Sequence, residues 1–551
     1  VLPCQIDKVT GNKDISELFV KKYCDVYHST SYVPDDMCSL LDNIDLDLKQ
    51  KCDISYSRVT CQDVLNGIGK LKGGKHDGYL GHYSDHMIHG SEGCLVNHLS
   101  KLFTSIVHHG YTPNAMLMST IIPIPKNSRK SLNDSSNYRG IALSSAMGKL
   151  LDWIIIKKYP GVFNSCSTQF AYKNNSSTVQ CSFVVEETLN YYLSNQSDVH
   201  LILLDASKAF DRINYIKLFR ELCNRNLCPI ICRYLTLQYT MQQCRVKWAN
   251  AISDSFTVEN GVKQGGVLSP ILFTVYMDCL LKRLQDSGVG CHVGNTFTGA
   301  LGYADDLVLL APTKAGMNKL LSICEDFSKE YFILFNATKS KHIVFSNKHV
   351  TCKTNFYLNN DAIPTVEDEK HLGNIIGKDS LKKSIESSVR ELYSNVNLLM
   401  AQFGKMDIDV KYSLFKSFCM SLYGCQLWNF EDSICEQFYT AWRKCVRRIL
   451  GLPYQTHGTL LNLICNDMPC NIQLYQRFLK FICSCLKSDH QCVRVCANLA
   501  VHGSSSNMCH SISQICHKLN MSRYHMHCNT SDIRQTYLSN GLEIINDLCT
   551  L

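Results

Sequence analysis

Apolar and polar positions fall into three stretches of different periodicity along the chain. Over residues 1–65, apolar residues such as Ile15, Leu18, Phe19 and Tyr23 recur at helical spacing, which predicts helices. A Gly/Lys-rich segment runs from Asn66 to Lys75. It lacks the Gly-Lys-Ser/Thr ending of a Walker loop and predicts a plain loop. A helical pattern resumes as far as Leu117. The run Ile121-Ile122-Pro123-Ile124-Pro125 predicts extended chain, because each proline biases its predecessor away from the α region. From about 199 to 350 the pattern changes to short apolar runs between helical stretches. Strands are predicted at 199–204, 256–259, 342–345 and 355–358, a hairpin at 302–310, and helices at 207–222, 271–283 and 317–332. Beyond about 380 the pattern is helical to the end. Such alternation predicts an α+β fold with a helical C-terminal extension.

Length and composition narrow this picture. The 551 residues allow several packing units. No run approaches the ~18 apolar residues of a membrane span, so no membrane partner is expected. The chain begins at Val1 with no signal pattern, which predicts a fragment or unstarted reading frame and not a secreted protein. The 30 cysteines are about 5% of the chain, below the roughly 8–10% of disulfide scaffolds. Buried thiols in a reducing, intracellular setting (cytoplasm and nucleus) are therefore expected. The net charge of +8 is modest. It is unevenly spread: Lys126, Arg129, Lys130, Arg139, Lys149, Lys157 and Lys158 face only Asp134 and Asp152 across 119–160. A local basic stretch suits phosphate binding, and a solvated face is the bland alternative.

Three segments carry candidate chemistry. In Gly302-Tyr303-Ala304-Asp305-Asp306-Leu307 two adjacent acids sit between strand-forming residues. Neighbours on a strand face opposite sides, so only a tight turn brings both acids near one point. Paired acids repel, and a cation relieves that repulsion. In Val199 to Asp211 an apolar strand ends on Asp205, which presents a carboxylate at a sheet edge. Asp205, Asp305 and Asp306 together would suit two magnesium ions about 3.5–4 Å apart. Asp211 reads as structural. The third segment is Gln264-Gly265-Gly266-Val267-Leu268-Ser269-Pro270, where glycines allow close backbone approach to a ligand ahead of a helix.

In this order the segments resemble the reverse transcriptase family, in the form carried by non-LTR (LINE-like) retrotransposons. Further segments fit: Ile121 to Lys126 with Asn137 to Leu143 resemble the fingers, Asn336 to Lys341 the lysine-bearing motif, and His371-Leu372-Gly373 the primer grip. The resemblance begins near Lys75-His76-Asp77-Gly78-Tyr79 and covers roughly 70–455. Phe170 to Thr178 departs from the Gly- and Arg-rich form usual there. Viral RNA polymerases share the palm logic but usually carry Gly where Ala304 stands. A complete element of this kind would also need an endonuclease, and the residues before the polymerase-like motifs show no pattern for one, which predicts a truncated polyprotein.

The resemblance implies a right-hand polymerase: a helical extension at 1–65, fingers and palm at 66–380, a helical thumb at 381–455 and a Cys/His-rich helical region at 456–551. It implies an RNA-directed DNA polymerase whose partners are an RNA template, a DNA primer and deoxynucleoside triphosphates. Asp205 and Asp305 would ligate two Mg2+ ions with Asp306 assisting, and the Ala206 carbonyl would touch one. Lys126 and Arg139 would hold the triphosphate. Phe210 would sit under the sugar, with a core aromatic as the bland reading. Gln264 and Gly265 would line the nucleotide and template site, and Lys339 would be a general acid for the leaving pyrophosphate. His371, Leu372 and Gly373 would hold the primer.

Arg443, Lys444, Arg447 and Arg448 share one helical face and would grip the backbone of a template–primer. Ten of the cysteines and six of the histidines lie in 465–551. There Cys492, Cys496, His502 and Cys509 or His510 are residue types suited to zinc. Their spacing departs from C-x2-C pairs, so a Cys-rich helical core is the competing expectation. The competing function is a decayed or domesticated copy that only binds nucleic acid.

Overall fold

A computed structural model describes residues 2–30, 34–51, 57–347, 355–502 and 507–518. Numbered among themselves in chain order, the elements that bear on the site are α1 (Asn12–Tyr27), β1 (Met118–Pro125), β2 (Tyr138–Leu143), α2 (Thr178–Ser194), β3 (Val199–Ser207), β4 (Gln243–Trp248), α3 (Ser269–Asp286), β5 (Ala300–Tyr303), β6 (Asp306–Ala311), β7 (Leu334–Phe345), β8 (Asp368–His371), β9 (Asn374–Gly377), α4 (Ser380–Phe403), α5 (Cys435–Leu450) and α6 (Gln491–His502). Helices and sheets are mixed throughout the first 380 residues, and the described chain beyond is helical. Among the described residues no helix is long and apolar enough to cross a membrane. The chain divides into two compact units. One comprises residues 1–172, 206–283 and 322–336, and the other 173–205, 284–321 and 337–551.

The first unit is organised on a five-stranded sheet. β1 lies between β2, antiparallel to it, and β4, parallel to it, and two short strands extend the β4 side. Pro123 and Pro125 lack the N–H that a central strand needs. Both lie past Ile121, the last residue of β1 paired with β4, so they face only one neighbour. The N-terminal helix is part of this sheet's core. Ile15, Phe19 and Tyr23 on one stripe of α1 pack with Ile121, Tyr138, Ala142, Val246 and Trp248. Gly140 is what admits α1, because a Cβ there would lie 2.9 Å from the Tyr23 ring.

The second unit holds a four-stranded sheet in the order β5, β6, β3, β7. Leu201–Leu204 and Leu307–Ala311 are buried without alternation, as strands covered on both faces should be. The aliphatic runs therefore fix the register, and the polar residues at their ends are carried to one edge. Most predicted elements are present, with one informative difference. The expected helix at 207–222 is broken into a short 3-10 turn at Ala209–Arg212 and a helix that starts at Tyr215. Lys208 takes a left-handed φ of 52°, and the Asn214 side chain caps the new start by accepting from the Lys217 N–H. Both features end one backbone course and begin another.

Candidate active site

The acidic residues are placed by strand register. β5 and β6 form an antiparallel hairpin in which Tyr303 pairs with Asp306, leaving Ala304 and Asp305 as a two-residue turn. Ala304 has a φ of +57°, a left-handed conformation that is uncommon for a residue with a Cβ. β6 then pairs with β3 from Leu307↔Leu204 to Ala311↔His200. One step further along that register, Asp306 lies across from Asp205, where opposed side chains are about 5 Å apart. The turn puts Asp305 beside them. The Asp205 N–H donates to Ser340 Oγ on β7 at 3.1 Å, and its Oδ2 is shielded from solvent without a hydrogen bond. Lys339 Nζ stands 3.8 Å from that Oδ2. Asp306 meets solvent at the mouth of the hairpin, yet desolvation by the surrounding protein, then Asp305 and Asp205, push its carboxyl up to about 6.

These observations test the expected magnesium site. A shielded carboxylate oxygen without a hydrogen bond, and an acid pushed up by two like charges, are what a hard cation would relieve. Among the described residues, however, no three Asp, Glu, His or Cys side chains form a ready-made metal cage. The three acids stand at an open edge of the sheet. Asp305 sits in the turn and Asp306 on the strand that follows it. An open edge suits magnesium, which takes few carboxylates and completes its shell with water and substrate phosphates. Ala206, next along β3, is buried. Lys339 is exposed, and its amine compensates Asp205.

The primer-grip segment forms the β8–β9 hairpin, with Leu372 and Gly373 as its turn at φ 47° and 86°. His371 lies beneath this turn. It is 6% exposed and both its ring nitrogens lack partners, and desolvation lowers it to about 4. It is a neutral residue beneath the turn, and Leu372 and Gly373 are what the hairpin presents. Tyr423, which no sequence motif marks, holds this turn. Its hydroxyl donates to the Leu372 carbonyl at 2.7 Å and also bonds Thr178 on α2. A Cβ on Gly373 would lie 2.6 Å from the Tyr423 ring. Asn374 donates to Ser182, one turn along α2, at 3.0 Å. Tyr423 also adjoins Tyr303, whose hydroxyl is raised by burial and then by Tyr423 and Cys181.

In the first unit the β1–β2 hairpin carries the fingers cations. Arg139 lies opposite Ile124, and Lys126 continues the ladder by donating its N–H to the Asn137 carbonyl. Directly opposed residues share a face and so do residues two apart, which puts Lys126 and Arg139 on the same side. The Gln264 carbonyl accepts from the Ala142 N–H on β2 at 2.7 Å. Gly265 follows at φ 112°, and a Cβ there would sit 2.7 Å from the Ala142 carbonyl, so only glycine lets this loop lie against β2. Phe210 stacks on Phe273 of α3 with centroids 4.1 Å apart. Asp211 is structural, as its position suggests: its carboxylate accepts from the Gln264 side chain, and desolvation raises it to about 6.

The four cations of α5 lie on one face, opposite the buried Trp442, Val446, Ile449 and Leu450. Lys444 and Arg448 are exposed. Arg443 is tied to Glu436 and Thr440, Arg447 to the Thr456 carbonyl, and Arg448 to Asn397 on α4. Cys492 and Cys496 are buried on α6, which packs on α2. Burial and then the adjacent Cys492 hold the Cys496 thiol far above its ordinary range. No zinc-binding group is present there among the described residues.

Parts of this chain are similar to known proteins. Residues 124–376 match the family model described as reverse transcriptase (RNA-dependent DNA polymerase). The chain is 27% identical over 281 residues to the Pol polyprotein of the type-2 retrotransposable element R2DM of Drosophila melanogaster, covering 50% of this chain and 26% of that protein. It is 22% identical over 461 residues to the RNA-directed DNA polymerase from mobile element jockey of Drosophila melanogaster, covering 80% of this chain and 49% of that one. Among solved structures, apo telomerase from Candida tropicalis, truncated from its C-terminal domain, aligns with a TM-score of 0.35 and 15% identity over 51% of this chain and 58% of that one. The chain thus spans about a quarter to a half of the length of these curated relatives. Residues 124–376 are similar to the reverse transcriptase domain of non-LTR retrotransposon polymerases.

Proposed function

We propose that this chain is an RNA-directed DNA polymerase that adds deoxynucleotides to a primer 3′-hydroxyl on an RNA template. The observation that carries the proposal is the register that sets Asp306 across from Asp205 at the end of two buried strands, with Asp305 in the adjoining turn. Asp205 and Asp305 would hold two magnesium ions, with Asp306 assisting. Magnesium bound there would lower the pKa of the primer hydroxyl and stabilise charge on the leaving pyrophosphate. The protein's own part is positioning and electrostatics. Lys126 and Arg139 bind phosphate oxygens as point charge and bidentate fork. Phe210, braced by Phe273, is the proposed floor under the deoxyribose. Leu372 and Gly373 orient the primer, and the α5 cations hold a nucleic-acid backbone without reading sequence.

Lys339 fits a smaller role than general acid. Its amine compensates Asp205, which places it as a partner of that carboxylate. Buried thiols such as Cys181, Cys244, Cys324 and Cys445 support a reducing, intracellular setting. The direct test is extension of a labelled primer on a homopolymeric RNA template with magnesium. Extension supports the proposal. Folded protein that binds the template–primer without extending it would favour a copy that only binds nucleic acid.

A further inference from the structure

The β1–β2 hairpin is joined by a turn on which two lysines converge. Lys126 Nζ donates to the Ser136 carbonyl at 3.0 Å. Lys22, from α1, donates to the carbonyl of the preceding residue, Ser135, and lies 3.3 Å from its Oγ. Two amines on successive carbonyls of one turn are close neighbours. Lys208 immediately precedes the Ala209–Arg212 turn, which packs against α1, and its charge acts on Lys22 together with that of Lys126. Three chain-distant lysines therefore gather at the turn of the hairpin, whose second strand carries Arg139 three residues past Ser136. Asp7 and Asp134 are the acids facing Lys22. Asp134 is itself engaged with the Ser136 N–H and hydroxyl, both at 2.7 Å.

Clustered cations repel, and the arrangement is relieved by a ligand of high negative charge density. α1 cannot withdraw its lysine easily. The adjacent Tyr23 is buried against Gly140 and Ile121 of the same hairpin. Lys208 is exposed and held at a left-handed φ of 52°. Strain of that kind persists where the surrounding structure imposes it and often marks a functional position.

We propose that Lys22 and Lys208 complete, with Lys126 and Arg139, a binding site for the polyphosphate of the incoming nucleotide, so that the N-terminal helix contributes directly to substrate binding. The inference rests on the polymerase reading for the identity of the ligand. The four cations suit a triphosphate better than the two fingers residues alone. Lys22 leaves Ser135 for a phosphate oxygen, exchanging a neutral acceptor for a charged one, which makes the stronger bond.

The test uses the full chain with inorganic tripolyphosphate in EDTA, followed by titration calorimetry, and thermal melting as the control for folding. Lys22→Met should weaken tripolyphosphate binding about tenfold, the effect of one charge-assisted contact. Lys22→Arg should stay within about threefold of wild type. Lys208→Met, an exposed substitution, should show the same loss as Lys22→Met. In primer extension, Lys22→Met should raise the nucleotide KM about tenfold with little change in kcat. A lysine that only latches α1 to the turn would lower the melting temperature and leave tripolyphosphate affinity unchanged. That outcome overturns the inference, as does a wild-type chain that binds no tripolyphosphate. If Lys22→Met fails to fold, Lys208→Met decides in the same way. Lys22-dependent tripolyphosphate binding by a wild-type chain that cannot extend a primer would uphold the site and remove the polymerase reading.

Discussion

The two hairpins that carry the proposed chemistry are built on opposite plans. β5–β6 is aliphatic and buried along its length and turns polar only at the tip, where Asp305 and Asp306 meet Asp205. β1–β2 is buried on the face that meets α1, while Lys126 and Arg139 are exposed on its other face. The acidic site is a consequence of register: once the leucines are buried, the carboxylates have one place to go. The cationic site is an assembly, in which residues far apart in sequence reach one turn. A register-built site should tolerate no change at its tip, whereas an assembled site should lose function in steps.

The largest effect is expected at the register site. Asp205→Asn keeps the shape of β3 but removes the charge a cation needs, and primer extension should fall by about a thousandfold with melting unchanged. A loss of only a few fold would show that Asp205 is not at the reacting centre. At the assembled site, Arg139→Ala should raise the nucleotide KM roughly ten- to a hundredfold, because the other cations remain. Complete loss of activity in a folded Arg139→Ala protein would break the distinction between the two plans.

Smaller effects follow at positions that support the sites. Gly373→Ala combines a φ of 86° with a Cβ 2.6 Å from the Tyr423 ring. It should destabilise the chain by about 1–3 kcal/mol in chemical denaturation and weaken extension more than template binding. Asp211→Asn tests the buried acid beneath the fingers loop. Its carboxyl is raised from 3.8 to about 6 by desolvation, so the folded state binds more protons than the unfolded state between those values. Stability from this group is present below about pH 4 and is lost as pH rises to about 6. Asp211→Asn should therefore stabilise the protein by about 2 kcal/mol above pH 6 and flatten the dependence between pH 4 and 6. A melting profile with an unchanged pH slope would contradict the assignment.

The same contrast explains what could be read from the sequence. Asp205, Asp305 and Asp306 were legible because each adjoins an apolar run whose burial and pairing are local consequences of composition. Gln264 and Gly265 were legible because a glycine pair ahead of a helix signals close backbone approach, and the Ala142 carbonyl supplies it. Lys22 and Lys208 carried no local mark. Lys22 looks like any polar residue on an amphipathic helix, and Lys208 sits in a stretch whose helical periodicity concealed a left-handed residue and a new N-cap. Tyr423 was hidden because its role is a hydroxyl bond to a carbonyl 51 residues earlier in the chain. The burial of His371 was not legible for a simpler reason: a motif position says which turn a residue belongs to, not which way its side chain faces.

The central claim is that the tip of the β5–β6 hairpin is a polymerase active site. Its most direct measurement is extension of a primer on a homopolymeric RNA template with magnesium, comparing the wild-type chain with Asp305→Asn at equal template–primer occupancy. The account predicts extension by wild type and a loss of at least about a hundredfold in Asp305→Asn. Equal extension by the two proteins, or none by a folded wild-type chain that binds the template–primer, would contradict it.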